Sequence, residues 1–245
     1  MAYYFASDMH LGLRYRNADP PEREKLLVQW LAGIENDCER LFLVGDVFDL
    51  WFEWKQVVPR GFVRVLGQLA RMCDKGIQVD FFAGNHDMWL TDYLSNEIGM
   101  TVHHKGGLFR LQGRDVFIDH GDTLGKREWL GKVLSGGFRN GTLRWLFSHL
   151  LHPDAAMRSG RRWSASNRSG RGEVAHRFRE EEEPLVAYAR EYLERQNVDY
   201  FVFGHLHTPV TYRLTENSAM IVLGEWIERP AYARMENGVM SLHEL

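Results

Sequence analysis

The sequence has little cysteine and no long apolar run. Its two cysteines, Cys38 and Cys73, are too few for a disulfide framework, which suits a reducing compartment. The longest apolar stretches, LFLVG and YFVFG, fall far below the ~20 residues that a membrane span requires. The N-terminal MAYYFASDMH also lacks the basic and apolar regions of a secretory signal. We therefore expect a cytoplasmic protein that does not cross a bilayer.

The chain also lacks an excess of charge of one sign. It has 30 Lys and Arg against 33 Asp and Glu, a net charge of −3 over 245 residues. This balance argues against a surface built to bind nucleic acid. Hydrophobic residues make up 44% of the chain, enough for the core of one large domain or two small ones.

Short apolar runs alternate with helical patterns along the first hundred residues. The pattern predicts strands over 3–7, 40–44 and 77–83, with helices over 21–35 and 59–75 between them. Strands that alternate with helices pair in parallel, so an α/β fold is expected. Further on, the sequence predicts strands over 108–111, 116–119 and 200–203, a helix over 183–197 and antiparallel strands around the turn at 236–238.

Residues that bind metals follow five of these strands. They are carboxylates, an amide and imidazoles, without a thiolate: Asp8, His10, Asp46, Asn85, His120, His205 and His207. Such a set suits Mn²⁺, Fe²⁺ or Zn²⁺, and the carboxyl ends of strands share one crevice in open α/β sheets. Two adjacent metals need a bridging carboxylate, for which Asp46 is the candidate. We therefore predict a centre with two divalent metal ions, Mn²⁺ being the expected one.

Residues 125–179 interrupt the alternation. This segment carries twelve Lys and Arg against three acidic residues, a net charge of +9 that leaves −12 on the rest of the chain, and it is rich in Trp and Phe. It is predicted to be a helical cap inserted into a core formed by 1–124 and 180–245.

The composition of the cap suits a substrate that has both a diphosphate and acyl chains. Residues 131–151 have apolar side chains at helical spacing, which fits either packing on the core or contact with lipid. Five arginines could hold the protein at an anionic membrane surface: Arg139, Arg144, Arg158, Arg161 and Arg162. The expected substrate contacts in the cap are Trp163, Ser164, Asn167, Arg168 and Arg171.

Five motifs of the sequence resemble those of the calcineurin-like metallophosphoesterases. They are Asp8-Met9-His10, Gly45-Asp46-Val47-Phe48-Asp49, Gly84-Asn85-His86-Asp87, His120-Gly121-Asp122 and Gly204-His205-Leu206-His207. The resemblance implies a four-layer α/β-β/α sandwich. It implies one metal on Asp8, His10, Asp46 and His207, and another on Asp46, Asn85, His120 and His205. It also implies catalysis by His86, oriented by Asp49, and substrate contacts from Asn85, Asp122 and His205.

Segments 45–52, 120–124 and 223–226 narrow the resemblance to the UDP-2,3-diacylglucosamine diphosphatases of lipid A synthesis. This branch implies that a hydroxide bridging the metals attacks the α-phosphorus and releases UMP and 2,3-diacylglucosamine 1-phosphate. It also implies a location at the cytoplasmic face of the inner membrane. One position departs from the pattern, because the better-known enzymes of the branch have Arg where this chain has His86.

Two other functions remain open. A phosphodiesterase of cyclic nucleotides or nucleic acid would share the metal centre without a cap that binds lipid. A noncatalytic scaffold would lack metal ligands, and none is missing from the sequence. The oligomeric state is not indicated by the sequence.

Overall fold

The computed structural model describes residues 1–15, 19–124, 145, 150, 152–169 and 177–245. Two β-sheets make up most of the core. The strands of the first sheet lie in the order β11-β10-β1-β2-β3-β4, and β1 to β4 are parallel. These six strands are β1 (Ala2–Ala6), β2 (Cys38–Val44), β3 (Gln78–Phe82), β4 (Thr101–His103), β10 (Ala231–Glu236) and β11 (Val239–Glu244).

The second sheet has five strands in the order β5-β6-β7-β9-β8. Its centre is parallel, from β6 through β7 to β9, and the strands at its two edges are antiparallel to their neighbours. The strands are β5 (Gly107–Leu111), β6 (Arg114–Asp119), β7 (Tyr200–Phe203), β8 (Val210–Arg213) and β9 (Ala219–Val222).

Four helices are described, together with a π-helical turn at Leu94–Ile98 and a 3₁₀ turn at Glu180–Glu182. The helices are α1 (Pro20–Ile34), α2 (Val63–Asp74), α3 (Pro153–Ser169) and α4 (Pro184–Leu193). Proline opens α1 and α4, because its fixed φ and missing N–H suit the first turn of a helix. No helix in the described part of the chain is both long and apolar enough to span a membrane.

The alternation of side chains along the strands produces four layers. In β2, Leu41 and Leu43 face the cluster that α1 and α2 cover, whereas Phe42 and Val44 face the second sheet. Strand β7 alternates in the same way, so Phe201 and Phe203 pack under α4. The predicted four-layer sandwich is therefore confirmed.

The structure shifts some of the predicted boundaries. Helix α2 begins at Val63 rather than near Pro59, because Gly61 and Phe62 have positive φ angles of 114° and 61° that no α-helix allows. Strand β4 and the π-helical turn are additions, both too short to give a periodic sequence signal. The predicted cap contributes the described helix α3, and the limits of the core and cap remain predictions.

Candidate metal centre

The predicted ligands come together where the strands end. Asp8 and His10 follow β1, Asp46 follows β2, and Asn85 follows β3. His120 follows β6, and the pair His205 and His207 follows β7 of the second sheet. The centre therefore lies at the carboxyl edge of both sheets, as expected for α/β folds.

Two groups of these side chains are compact enough to hold a metal ion. The ligand atoms of Asp8, His10 and His207 lie within 4.8 Å of one another, and so do those of Asp8, Asp46 and His120. Within them, His207 Nε2 is 3.2 Å from Asp8 Oδ1 and His120 Nε2 is 3.4 Å from Asp46 Oδ2. The groups share Asp8, and Asp46 Oδ2 also lies 3.8 Å from His10 Nε2.

Several atoms of the centre fit the chemistry of metal binding. Three buried ligand atoms have no hydrogen-bond partner among the described residues: Asp8 Oδ1, Asn85 Oδ1 and His120 Nε2. The Val44 carbonyl is 2.9 Å from His120 Nδ1 and can only accept, so Nδ1 carries a hydrogen and Nε2 is the ring nitrogen left to bind a metal. Buried polar atoms are normally paired, so the residues present fit a divalent cation well.

Glycines allow the strand ends to approach one another. A Cβ at Gly84 would lie 2.2 Å from Asp46 Oδ1 and 2.5 Å from the Asp46 backbone nitrogen. A Cβ at Gly45 would lie 2.4 Å from His120 Nδ1. Both distances are far below van der Waals contact, so only glycine admits this placement of Asp46 and His120.

The backbone at the ligands is strained. Five of the seven predicted ligands have positive φ angles between 44° and 68°: Asp8, His10, Asp46, His205 and His207. Residues other than glycine rarely adopt this conformation, although Asp, Asn and His tolerate it best. Such strain is typical of functional sites, where surrounding contacts hold the backbone in place.

Asp87 organises the loop that carries Asp46. Its Oδ1 accepts hydrogen bonds from the amides of Gly84 (2.7 Å) and Asp46 (3.3 Å), and its Oδ2 accepts from Val47 (2.9 Å) and Phe48 (3.4 Å). Burial, together with the nearby charge of Asp46, raises the pKa of Asp87 to about 7. Asp87 belongs to the motif Gly84-Asn85-His86-Asp87, but the sequence pattern assigns it no role.

His86 and Asp49 lie beside the metal ligands. His86 Nδ1 is 2.9 Å from the Asp49 backbone carbonyl and 3.8 Å from its carboxylate, and the same carboxylate is 3.7 Å from His10 Nδ1. The His86 amide also donates to Asp46 Oδ1 at 2.8 Å. The main-chain carbonyl of Asp49 is therefore a closer partner of the His86 ring than the carboxylate.

The surroundings set the charges of the ligands. Although burial disfavours the charged form, His120 and His86 hold the pKa of Asp46 well below its usual value. Burial lowers the pKa of His10 to about 4 and that of His205 to about 3. Although burial disfavours the charged form, the Asp46 carboxylate raises the pKa of His120 well above its usual value, and the Asp8 carboxylate raises that of His207. Metal ligation needs ionised carboxylates beside neutral imidazoles, so a bound cation would displace a proton from each of these two rings.

The remaining predicted residues divide into two groups. Asn85 is partly buried, Asp122 is buried close behind His120, and His205 donates its amide to Asp8 Oδ2 at 3.0 Å, so all three adjoin the centre. The side chains of the cap contacts lie outside the described residues: Trp163, Ser164, Asn167, Arg168 and Arg171. These cap contacts stay predictions.

Two buried glutamates support the site and were not predicted. Glu53 accepts hydrogen bonds from the amides of Thr91, Asp92 and Tyr93, which ties the loop after β2 to the loop after β3. Glu225 accepts from the amides of Glu228 and Arg229 beyond β9. Glu225 lies in segment 223–226, which contributes to the family resemblance. Its hydrogen bonds to backbone amides could not be predicted, because such contacts need no particular residue types at a fixed spacing.

Comparisons with known proteins agree with this geometry. The family model described as calcineurin-like phosphoesterase matches residues 1–209. A protein of Porphyromonas gingivalis named UDP-2,3-diacylglucosamine hydrolase is 36% identical over 259 residues, which cover 99% of this chain and 97% of the relative. A protein of the same name from Escherichia coli O6:H1 is 26% identical and covers 92% of this chain and 91% of its own.

Among solved structures, a dimetal phosphatase from Danio rerio superimposes with a TM-score of 0.51 at 14% identity. The alignment covers 99% of this chain and 95% of the phosphatase. At this identity the similarity supports the four-layer fold alone.

Proposed function

Because the chain belongs to the calcineurin-like phosphoesterase family of metal-dependent hydrolases, we propose that it cleaves the diphosphate bond of UDP-2,3-diacylglucosamine. The products would be UMP and 2,3-diacylglucosamine 1-phosphate. The observation that carries this proposal is the extent of similarity to the Porphyromonas gingivalis hydrolase, which spans 99% of the chain and therefore includes the cap as well as the metal motifs.

The residues of the centre fit two divalent ions. Asp8, His10, Asp46 and His207 would hold one ion, and Asp46, Asn85, His120 and His205 the other. When bound, two such ions supply an activated water and stabilise negative charge on phosphoryl oxygens. Mn²⁺ is our choice because the ligands combine hard oxygens with imidazoles.

His86 is suited to a role at the phosphate. Its Nδ1 is engaged by the Asp49 carbonyl at 2.9 Å, so the ring is fixed in orientation. It lies next to the ligand set, with its ring centroid 4.9 Å from that of His10. In this position His86 would contact the phosphate, stabilise developing charge and give a proton to the departing sugar-phosphate oxygen.

Helix α3 of the predicted cap packs against the loop after β2. Helix α3 approaches the loop after β2 so closely that a Cβ on Gly160 would lie 2.4 Å from Leu50 Cδ2. Leu50 directly follows Asp49, so α3 lies over the loop that carries Asp46. The cap is therefore suited to bind the acylated sugar while the centre binds the diphosphate.

The test is Mn²⁺-dependent release of UMP from UDP-2,3-diacylglucosamine, compared with hydrolysis of bis-p-nitrophenyl phosphate and of a cyclic nucleotide. A strong preference for the diacyl substrate is expected. Hydrolysis of the small diesters alone would support a general phosphodiesterase and contradict the proposed substrate.

We further propose peripheral contact with the anionic leaflet that holds this substrate. The cap has a net charge of +9, and its helical residues Trp145 and Leu150 are 57% and 73% exposed. Sedimentation with vesicles that contain anionic lipid should retain the protein at low salt and release it at high salt. Equal recovery with neutral vesicles would contradict this location.

A further inference from the structure

A cavity of about 310 Å³ lies beside the metal ligand His120. Its walls come from the loops that follow β3, β4 and β6, and from Tyr188 of α4. Among the described residues, none that lines this cavity belongs to the loop after β2, against which α3 packs. A group bound at the metal centre could therefore extend into this cavity without using the space next to Leu50.

The lining combines aromatic surface with several polar and charged groups. Phe82, Phe117 and Tyr188 contribute the aromatic surface, and the polar atoms come from His103, His104, Lys105, Asp119, His120, Asp122 and Thr123. Small-molecule sites typically have this mixture, in which apolar walls provide affinity and polar groups fix orientation. A nucleoside matches it, because a flat base carries carbonyl and N–H groups at its edge and the ribose carries hydroxyls.

One wall of the cavity is held in place by an ion-pair network. His103 Nε2 lies 2.7 Å from Asp80 Oδ1, and the His103 ring stacks on Phe82 at 4.6 Å. Asp80 is fully buried and accepts two hydrogen bonds from Arg40, at 2.7 and 3.1 Å. The wall is thus formed before any ligand arrives, which lowers the entropic cost of binding.

We propose that this cavity binds the nucleoside of a nucleotide-activated substrate, an inference that rests on the proposed function. A diphosphate joins two very different groups, a nucleoside and an acylated sugar. A volume of about 310 Å³ is at the small end of ligand sites and suits a nucleoside, whereas two acyl chains need a larger apolar surface. The acylated sugar would then lie toward α3 and the nucleoside toward Lys105.

The experiment uses the Mn²⁺-loaded full chain and titrates UMP by calorimetry, with uridine and inorganic phosphate as separate probes. Two variants address the cavity. Lys105→Glu reverses an exposed charge on the lining, and Thr123→Trp fills the space. We expect each to weaken UMP binding roughly tenfold, Lys105→Glu because it removes one charged donor and Thr123→Trp because it excludes the nucleoside from the filled space. Each should also raise KM for UDP-2,3-diacylglucosamine about tenfold more than KM for bis-p-nitrophenyl phosphate.

Lys25→Ala, on the exposed surface of α1, is the matched control and should bind UMP as the unmodified protein does. The proposal would be overturned if inorganic phosphate displaced UMP completely and neither cavity variant changed the affinity for UMP. If UMP binding depends on Lys105 and Thr123 although UDP-2,3-diacylglucosamine is not hydrolysed, the nucleoside site stands and the proposed lipid substrate is wrong.

Discussion

The two sides of the metal centre are built differently. On one side, the loops after β1 and β2 bury Asp8, His10 and Asp46 to 1% exposure or less. These loops are joined by backbone hydrogen bonds, such as the amide of Asp8 to the carbonyl of Gly45 at 3.1 Å. On the other side, the loop after β7 leaves His205 and His207 partly exposed.

Two side chains of the buried side, Asp8 and His10, contact the exposed side, and His10 Nε2 lies 3.1 Å from His207 Nε2. The His205 amide donates to Asp8 Oδ2 at 3.0 Å, and His207 Nε2 lies 3.2 Å from Asp8 Oδ1. A carboxylate can rotate about its side-chain bonds, whereas a backbone ladder cannot shift without breaking several hydrogen bonds. We therefore expect the buried side to determine where metal ions bind and the exposed side to adapt to them.

Removing a ligand from the buried side should have the largest effect. Asp46→Ala deletes the carboxylate that lies near both His10 and His120, so we expect loss of bound metal and a fall in kcat of roughly 10³-fold or more. His207→Ala, on the exposed side, should lower kcat by only about 10²-fold. Metal content by mass spectrometry and turnover of bis-p-nitrophenyl phosphate provide the measurements. Equal losses in the two variants would remove the distinction between the sides.

A matched pair of glycines tests the same distinction with a smaller change. In Gly84→Ala the new methyl group would lie 2.5 Å from the Asp46 backbone nitrogen. The main chain cannot move away without breaking hydrogen bonds, so kcat should fall roughly 10²-fold. In Gly204→Ala the methyl meets only side-chain atoms, the nearest being Asp8 Oδ2 at 2.7 Å. We expect a loss of roughly tenfold there, because a side chain can rotate.

The control for this pair is Gly33→Ala in α1, where a Cβ has no neighbour within 4 Å and should leave turnover unchanged. Circular dichroism would establish that all three variants are folded. A larger loss in Gly204→Ala than in Gly84→Ala would show that the loop after β7 is the stiffer one.

The pH dependence of stability tests whether the first sheet is held as firmly along β3 as it is at the metal ligands. Although Asp80 is buried, His103 and Arg40 hold the pKa of its carboxyl below the ordinary value. A carboxyl group whose pKa is lower in the folded protein than in the unfolded chain stabilises the fold at pH values above the unfolded-state pKa. This stabilisation is lost as the pH falls through the folded-state pKa. Asp80→Asn should therefore cost about 2 kcal/mol at pH 7, with a smaller difference below about pH 4.

Urea unfolding of both proteins at pH 7, 5 and 3.5 would measure this difference. Asp199→Asn is the control, because its ion pair with Arg114 lies on the surface and should contribute little at any pH. A difference for Asp80→Asn that grows on acidification would contradict the assigned sign.

The meeting of the strand ends could be predicted from the sequence. Asp8, Asp46, Asn85 and His120 each follow an apolar run, and the rule that ligands gather beyond the carboxyl ends of strands brings them together. The layers were predictable for the same reason, since alternation in β2 assigns Phe42 and Leu43 to opposite faces.

The supporting contacts could not be predicted in this way. Asp87 and Glu53 act by accepting hydrogen bonds from backbone amides, and any loop can supply an amide, so no spacing of residue types reveals them. The cavity beside His120 combines loops after three strands with Tyr188, residues far apart in the sequence. Only the tertiary structure determines such a juxtaposition.

The smallest expected effect comes from a glycine remote from the metal loops. Gly67 is exposed within α2, and a Cβ there has no atom within 4 Å. Alanine loses less backbone entropy on folding than glycine does, so Gly67→Ala should stabilise the protein by about 0.5–1 kcal/mol. The Tm of thermal unfolding should rise by about 2 °C, and turnover should stay unchanged. A loss of turnover would show that α2 is coupled to the centre, and the rigidity of the buried side would then reach beyond the loops that carry the ligands.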